Sequence, residues 1–253
     1  LEYLEWELSV ARRTGSTDHQ MGVLQEMAGV CLQERDYPSA LRHYRDLLEV
    51  ADANRDLGHR IKACQGMGNA CLAQGKFQEA LHFHRQSLQA AQHCGDPSRE
   101  VAAYIDIGRV QHSNGDFCSA LDTFSLALPS DAKEPPLPAA LLGLGGAHYR
   151  LDQLSEAAVC YQRALQVPGI DCDPLAQYQA QVGLGRTMHR QGHTRSAVDC
   201  YQSALQFAIA AGMPKFQAEA CVAVGTLHRL LGSVDDALTW HCRGLDLALA
   251  GMG

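Results

Sequence analysis

The segment LGLGGAH, residues 142–148, sets three glycines among leucines and ahead of a histidine. Glycine clusters of this kind bind phosphate when their backbone N–H groups open a helix. Ten cysteines and twelve histidines supply the side chains of zinc sites and thiol chemistry. The run RTMHR at 186–190 adds two guanidinium forks and an imidazole, donors suited to carboxylates. Each chemistry has a positional requirement. A phosphate loop follows a strand and does not recur at a fixed period. Zinc draws on close-spaced ligand pairs, and no CxxC occurs. A hydrolytic site needs a nucleophile, a base and an orienting acid, and no such set can be assembled from this sequence.

The spacing of these residues obeys a repeat instead. LGLGGAHYRLD (142–152) aligns without gaps with QEMAGVCLQER (25–35), QGMGNACLAQG (65–75), IDIGRVQHSNG (105–115), VGLGRTMHRQG (182–192) and VAVGTLHRLLG (222–232), at steps of 40, 40, 37, 40 and 40 residues. A second common stretch follows each block and places an alanine at Ala40, Ala80, Ala120, Ala157, Ala197 and Ala237. The N-terminal LEYLEWELSVA aligns with the second stretch alone. Residues 1–15 therefore read as the second helix of a partial leading repeat, 16–128 as repeats 1–3, 129–137 as a proline-rich connection and 138–253 as repeats 4–6.

The first block is apolar or small at i, i+3, i+4 and i+7, as in Leu24, Met27, Ala28, Cys31 and in Leu141, Leu144, Gly145, His148. That is helical spacing, and Ala157, Tyr161, Ala164 and Leu165 repeat it in the second stretch. Turns such as Gly75-Lys76 and Gly115-Asp116 separate the two, so each unit is a helical hairpin. Gly68, Gly108, Gly145, Gly185 and Gly225 share one register with Ala28. A glycine inside a helix costs about 1 kcal/mol relative to alanine, so close approach of the two helices must offset that cost. Pro129 should end a helix that its counterparts continue, with PSDAKEPPLP as a bend or hinge.

The cysteines and histidines fall into the same registers. Cys31 pairs with Cys71, Cys64 with Cys221 and Cys160 with Cys200, each in place of a small core residue. His84 and His241 stand where other repeats carry Tyr44, Phe124, Tyr161 and Tyr201, and His148 and His228 share the slot of Cys31, Cys71 and Met188. These are packing residues, and neither a metal, a cofactor nor a structural disulfide is expected. The formal net charge of −7 argues against general affinity for nucleic acid or anionic lipid. No apolar run approaches the ~20 residues that cross a bilayer, and the N-terminus lacks a signal-peptide layout. A soluble, cytoplasmic, non-enzymatic protein is expected.

Leu184-Gly185 in a first helix and Ala197, Tyr201 and Ala204 in the second resemble the tetratricopeptide repeat (TPR) family, and six copies keep the register. The resemblance implies an all-α, right-handed superhelical α-solenoid of helix-turn-helix repeats. The tryptophan that often starts the first helix is replaced here by Leu24, Cys64, Tyr104, Leu141, Gln181 and Cys221. The long unit, with Gly95-Asp96, Glu100 and Ala103-Tyr104 ahead of Ile107-Gly108, resembles the forty-residue repeats of LGN/Pins adaptors and rapsyn. That likeness implies a protein-interaction scaffold holding an extended peptide in a groove lined by first helices.

In such a stack the non-core positions of the first helices face the groove. One residue after the register glycine stand Asn69, Arg109 and Arg186; one turn later stand His112, Tyr149, His189 and Arg229, with Arg150 and Arg190 beside them. The expected peptide-binding set is thus Asn69, Arg109, His112, Arg150, Arg186, His189, Arg190 and Arg229, facing an acidic or mixed extended segment. The alternative is a structural arm that self-associates through its repeat ends.

Overall fold

The computed structural model describes residues 1–129 and 137–250. Among these the chain forms thirteen α-helices. Helix α1 (Glu2–Thr14) precedes six pairs: α2 (Thr17–Gln33) with α3 (Tyr37–Asn54), α4 (Leu57–Ala73) with α5 (Phe77–Cys94), α6 (Pro97–Ser113) with α7 (Phe117–Leu126), α8 (Pro138–Arg150) with α9 (Leu154–Leu165), α10 (Pro174–Arg190) with α11 (Thr194–Ala210), and α12 (Pro214–Leu230) with α13 (Val234–Ala250). They pack in sequence as a TPR-like repeat solenoid, as the periodicity and the family resemblance led us to expect.

Local chemistry sets the helix ends. Asp36, Asp56, Asp116 and Asp173 each accept a hydrogen bond from the backbone N–H three residues on, at 3.0–3.2 Å, satisfying a donor that the first helical turn leaves orphaned. Pro97, Pro138, Pro174 and Pro214 open first helices at the one position where a missing N–H costs nothing. The turns that reverse the chain need a left-handed residue. Gly75, Gly115, Gly192 and Gly232 supply it in four of the hairpins, while Arg35 (φ 61°) and Asp152 (φ 62°) adopt it in the other two.

The register glycines serve a purpose the periodicity does not disclose. A side chain at Gly68, Gly108, Gly145, Gly185 or Gly225 would run into the ring sixteen residues on: His84, Phe124, Tyr161, Tyr201 or His241. One of these rings, Tyr161, also reaches the next first helix and fills the space beside Gly183, as Tyr44 of the first repeat does beside Gly66. The small residue makes room for an aromatic wedge driven between successive first helices, rather than for direct contact of two backbones.

The chain divides into two compact units, Leu1–Ala127 and Leu128–Gly253. Within them first helices adjoin one another, α2 beside α4 and α4 beside α6 in the first unit and α8 beside α10 in the second. Helix α7 stops at Leu126, three residues before the proline expected to end it. The proposed bend in PSDAKEPPLP falls on residues 130–136, outside those described. Helix α9 is also short, which the repeat pattern did not foretell. Pro168 disfavours helical backbone at Val167, and Gly169 turns the chain at φ 85° into a single 3-10 turn, Ile170–Cys172. Buried Val167 and Ile170 then pack where the lost helical turns would have been.

Candidate functional site

The first-helix face of the second unit carries Arg150 on α8, Arg186, His189 and Arg190 on α10, and Arg229 on α12, all exposed. These five have different surroundings. Arg190 donates one N–H to the Tyr149 carbonyl at 3.0 Å and another to Asp152 Oδ1 at 2.7 Å. Its guanidinium also lies 4.9 Å over the Tyr149 ring. It therefore braces repeat 5 against repeat 4. The left-handed turn at Asp152 aims that carboxylate, a partner 38 residues away that no register analysis could name.

Arg186 sits among tyrosines. Its charge reaches the phenols of Tyr201, Tyr161 and Tyr178 and opposes the upward push that burial gives each of them. Burial pushes the Tyr161 phenol up to about 12 despite the neighbouring cation. Burial, then the Glu219 carboxylate 3.5 Å away, does the same to Tyr178. All three phenols thus stay protonated at neutral pH. The floor beneath is narrow: Gly183, Leu184 and Gly185 are buried, and Thr187 turns its hydroxyl back to the Gly183 carbonyl at 2.8 Å. The result is an exposed cation above a buried floor, in which the Tyr161 and Tyr201 rings fill the space beside Gly183 and Gly185. Sequence spacing located Arg186 but not its tyrosine setting, since two of those rings, Tyr161 and Tyr201, come from second helices.

In the first unit Asn69 is half-buried on α4, and His112 stands edge-on to Phe117 at 5.2 Å between centroids. Arg109 holds Asp106 Oδ1 at 3.1 Å, one turn back on α6. Arg109 and Arg190, two of the expected carboxylate ligands, thus already engage carboxylates of the chain itself.

Among the described residues no cluster of three or more His, Cys, Asp or Glu is arranged to hold a metal ion. The ten cysteines are free thiols, and burial pushes those of Cys31, Cys64, Cys71, Cys160, Cys200 and Cys221 up, away from the reactive thiolate. Among the described residues no helix is long and apolar enough to cross a membrane.

Residues 60–133 match the family model described as tetratricopeptide repeat. Comparison with curated proteins finds no match. Among solved structures the chain is similar to BtubC (BKLC) from P. vanneervenii, at 15% identity over 91% of this chain and 92% of that one, with a TM-score of 0.72. It is similar to the apo form of RapI, at 9% identity over 100% and 99% of the two chains, with a TM-score of 0.68. It is also similar to PilW, a type IV pilus biogenesis factor, at 16% identity over 88% and 91%, with a TM-score of 0.68. At these identities the likeness is one of fold. It does not single out the LGN/Pins and rapsyn subgroup to which the forty-residue period pointed. Six helix pairs in one register and the shared solenoid fold give this chain a TPR-like architecture, and its residues 60–133, across the second and third pairs, match the tetratricopeptide repeat family itself.

Proposed function

We propose that the protein is a non-enzymatic interaction scaffold whose first-helix face in the second unit grips an extended, acidic segment of a protein partner. The observation that carries this reading is Arg186, an exposed cation set among the buried phenols of Tyr161, Tyr178 and Tyr201. A charge-assisted hydrogen bond to a carboxylate contributes about 1.5–3 kcal/mol, more than a neutral one. Arg150, His189 and Arg229 add positive field along the same surface, while Arg190 fixes the floor through Tyr149. Asn69, Arg109 and His112 give the first unit a weaker version of the same role. Capture of partners on the wild-type chain, followed by affinity measurement, tests the reading. Arg186→Glu should weaken binding more than tenfold while leaving the circular dichroism spectrum and melting temperature nearly unchanged. If Arg163→Glu, on the second-helix side, abolishes binding and Arg186→Glu does not, the face has been misassigned.

A second reading, self-association, is favoured by exposed Val234, Leu238, Leu245 and Leu249 along α13. Sedimentation of Leu238→Glu/Leu245→Glu against wild type decides it: a concentration-dependent dimer lost in the variant supports the reading, and a wild-type monomer at all concentrations rejects it.

A further inference from the structure

Repeats 2 and 3 meet at a wedge unlike the others. Where Tyr44 lies against Gly66 and Tyr161 against Gly183, the equivalent pair is His84 and Asp106. The imidazole is wholly buried, and neither Nδ1 nor Nε2 has a hydrogen-bond partner. Asp106 Oδ2 stands 3.9 Å from Nδ1, too far for a hydrogen bond, while Oδ1 of the same carboxylate accepts from Arg109 at 3.1 Å. Among the described residues the charged groups facing the ring are Asp106 and Arg109, both on α6. On the α4 side the wall is the backbone at Gly68, whose missing Cβ would sit 2.5 Å from the ring. The carboxylate thus lies between an exposed guanidinium and a buried, unpartnered imidazole, with one oxygen toward each.

We propose that His84, Asp106 and Arg109 form a proton-operated lock on the first-helix face of the first unit. With His84 neutral, Asp106 is paired to Arg109 and neutralises it. A proton taken from solvent onto Nδ1 converts the ring to an imidazolium whose strongest available partner is Asp106. The carboxylate closes the 3.9 Å gap, and Arg109 is released to hold an acidic ligand. The coupling is reciprocal: an anion on Arg109 screens the cation that opposes protonation, so binding takes up a proton at His84. Burial, and after it the Arg109 charge, holds the imidazole down at about 4, and burial raises the Asp106 carboxyl. In acid the proton therefore enters the His84–Asp106 pair as a unit, and on either partner it weakens the hold of Asp106 on Arg109, so the lock is closed at neutral pH and opens in acid. The release of Arg109 to a ligand rests on the acidic-segment reading given above; the lock itself does not.

The first measurement therefore needs no ligand. The His84 Cε1–H and Arg109 Nε–H signals are followed by NMR from pH 7.5 to 3.5 in wild type, Asp106→Asn and Arg109→Gln. Expected are a shared midpoint for the two signals in wild type, loss of the Arg109 transition in Asp106→Asn, and a raised His84 midpoint in Arg109→Gln. An Arg109 signal indifferent to pH while His84 titrates overturns the lock, and so does an unmoved His84 midpoint in Arg109→Gln. The second measurement uses an octapeptide of alternating cysteic acid and glycine, whose charge is constant over this range. It should bind wild type at least threefold more tightly at pH 4.5 than at pH 7, and bind His84→Tyr/Asp106→Gly with no such pH dependence. Arg109→Gln, an exposed substitution, should lose the dependence as well. Equal pH dependence in all three proteins overturns the lock. If the peptide binds none of them at any pH, the acidic-segment reading fails for this face, and the NMR titration still decides the lock.

Discussion

His84 is the residue at which the repeat pattern gives way, and its chemistry is directly testable. Exchange of His84→Tyr and Asp106→Gly together restores the pair used elsewhere, Tyr161 with Gly183. Either change alone should destabilise, the first by forcing a phenol against a carboxylate, the second by leaving a void beside a smaller ring. Together they should recover a coupling of about 1–3 kcal/mol in denaturant titrations. The same ring sets an acid limit. Burial lowers the pKa of His84, and of His43 in repeat 1, so the folded state excludes protons that the unfolded chain accepts. That contribution is complete above about pH 6.5 and is lost as pH falls toward about 4, amounting to roughly 3 kcal/mol at most for His84. Asp106, raised chiefly by burial, works in the opposite direction, because its folded form binds a proton first. His84→Tyr/Asp106→Gly should therefore show a flatter loss of stability between pH 6.5 and 4 than wild type. Arg55 also departs from its counterparts: it takes the left-handed turn (φ 56°) that Gly15, Gly95 and Gly212 make elsewhere. Arg55→Gly should raise stability by about 0.5–1 kcal/mol, the left-handed penalty of a side chain less the extra freedom of unfolded glycine.

Between helices, the wedge is the unit of packing, and it sorts the glycines into two kinds. A Cβ at Gly183 would fall within the Tyr161 ring, so Gly183→Ala should destabilise by about 1–3 kcal/mol. A Cβ at Gly29, inside α2, would meet nothing within 4 Å, so Gly29→Ala should stabilise by about 0.5–1 kcal/mol. Opposite signs for one substitution in two helices of the same class would be read directly from melting temperatures. The caps behave more uniformly. Asp56 accepts from the His59 backbone N–H at 3.0 Å and from its ring at 2.8 Å, and those bonds lower its carboxyl pKa. Asp56→Ala should cost about 1 kcal/mol at neutral pH, and the cost should vanish as acid protonates the carboxyl.

At the scale of the molecule, stability comes from helix packing in each of two compact units, with no covalent or metal cross-link among the described residues. Cys31, Cys64, Cys71 and Cys221 are buried core atoms of the helices that carry them. Neither reductant nor chelator should move the melting temperature of the freshly purified protein, as scanning calorimetry with and without each reagent would show.

The repeat period, the number of helix pairs and the leading helix were legible in the sequence. Each follows from the 3.6-residue periodicity of a helix and the forty-residue periodicity of the stack, and both are local regularities. Partners were not legible, because they come from other helices. Arg186 was foreseen as an exposed cation, but Tyr161 and Tyr201, two of the phenols its charge reaches, lie on second helices. Arg190 was foreseen as a ligand for a carboxylate, yet it holds Asp152 of the preceding repeat at 2.7 Å. His84 was read as a packing residue in an aromatic slot, which it is, but the carboxylate opposite belongs to the next first helix. A helix places its own side chains by rotation about one axis, whereas the groups facing them depend on how the next helix is set. That was decided by the tertiary structure, in which an aromatic wedge and the small residues around it fix the spacing of successive first helices.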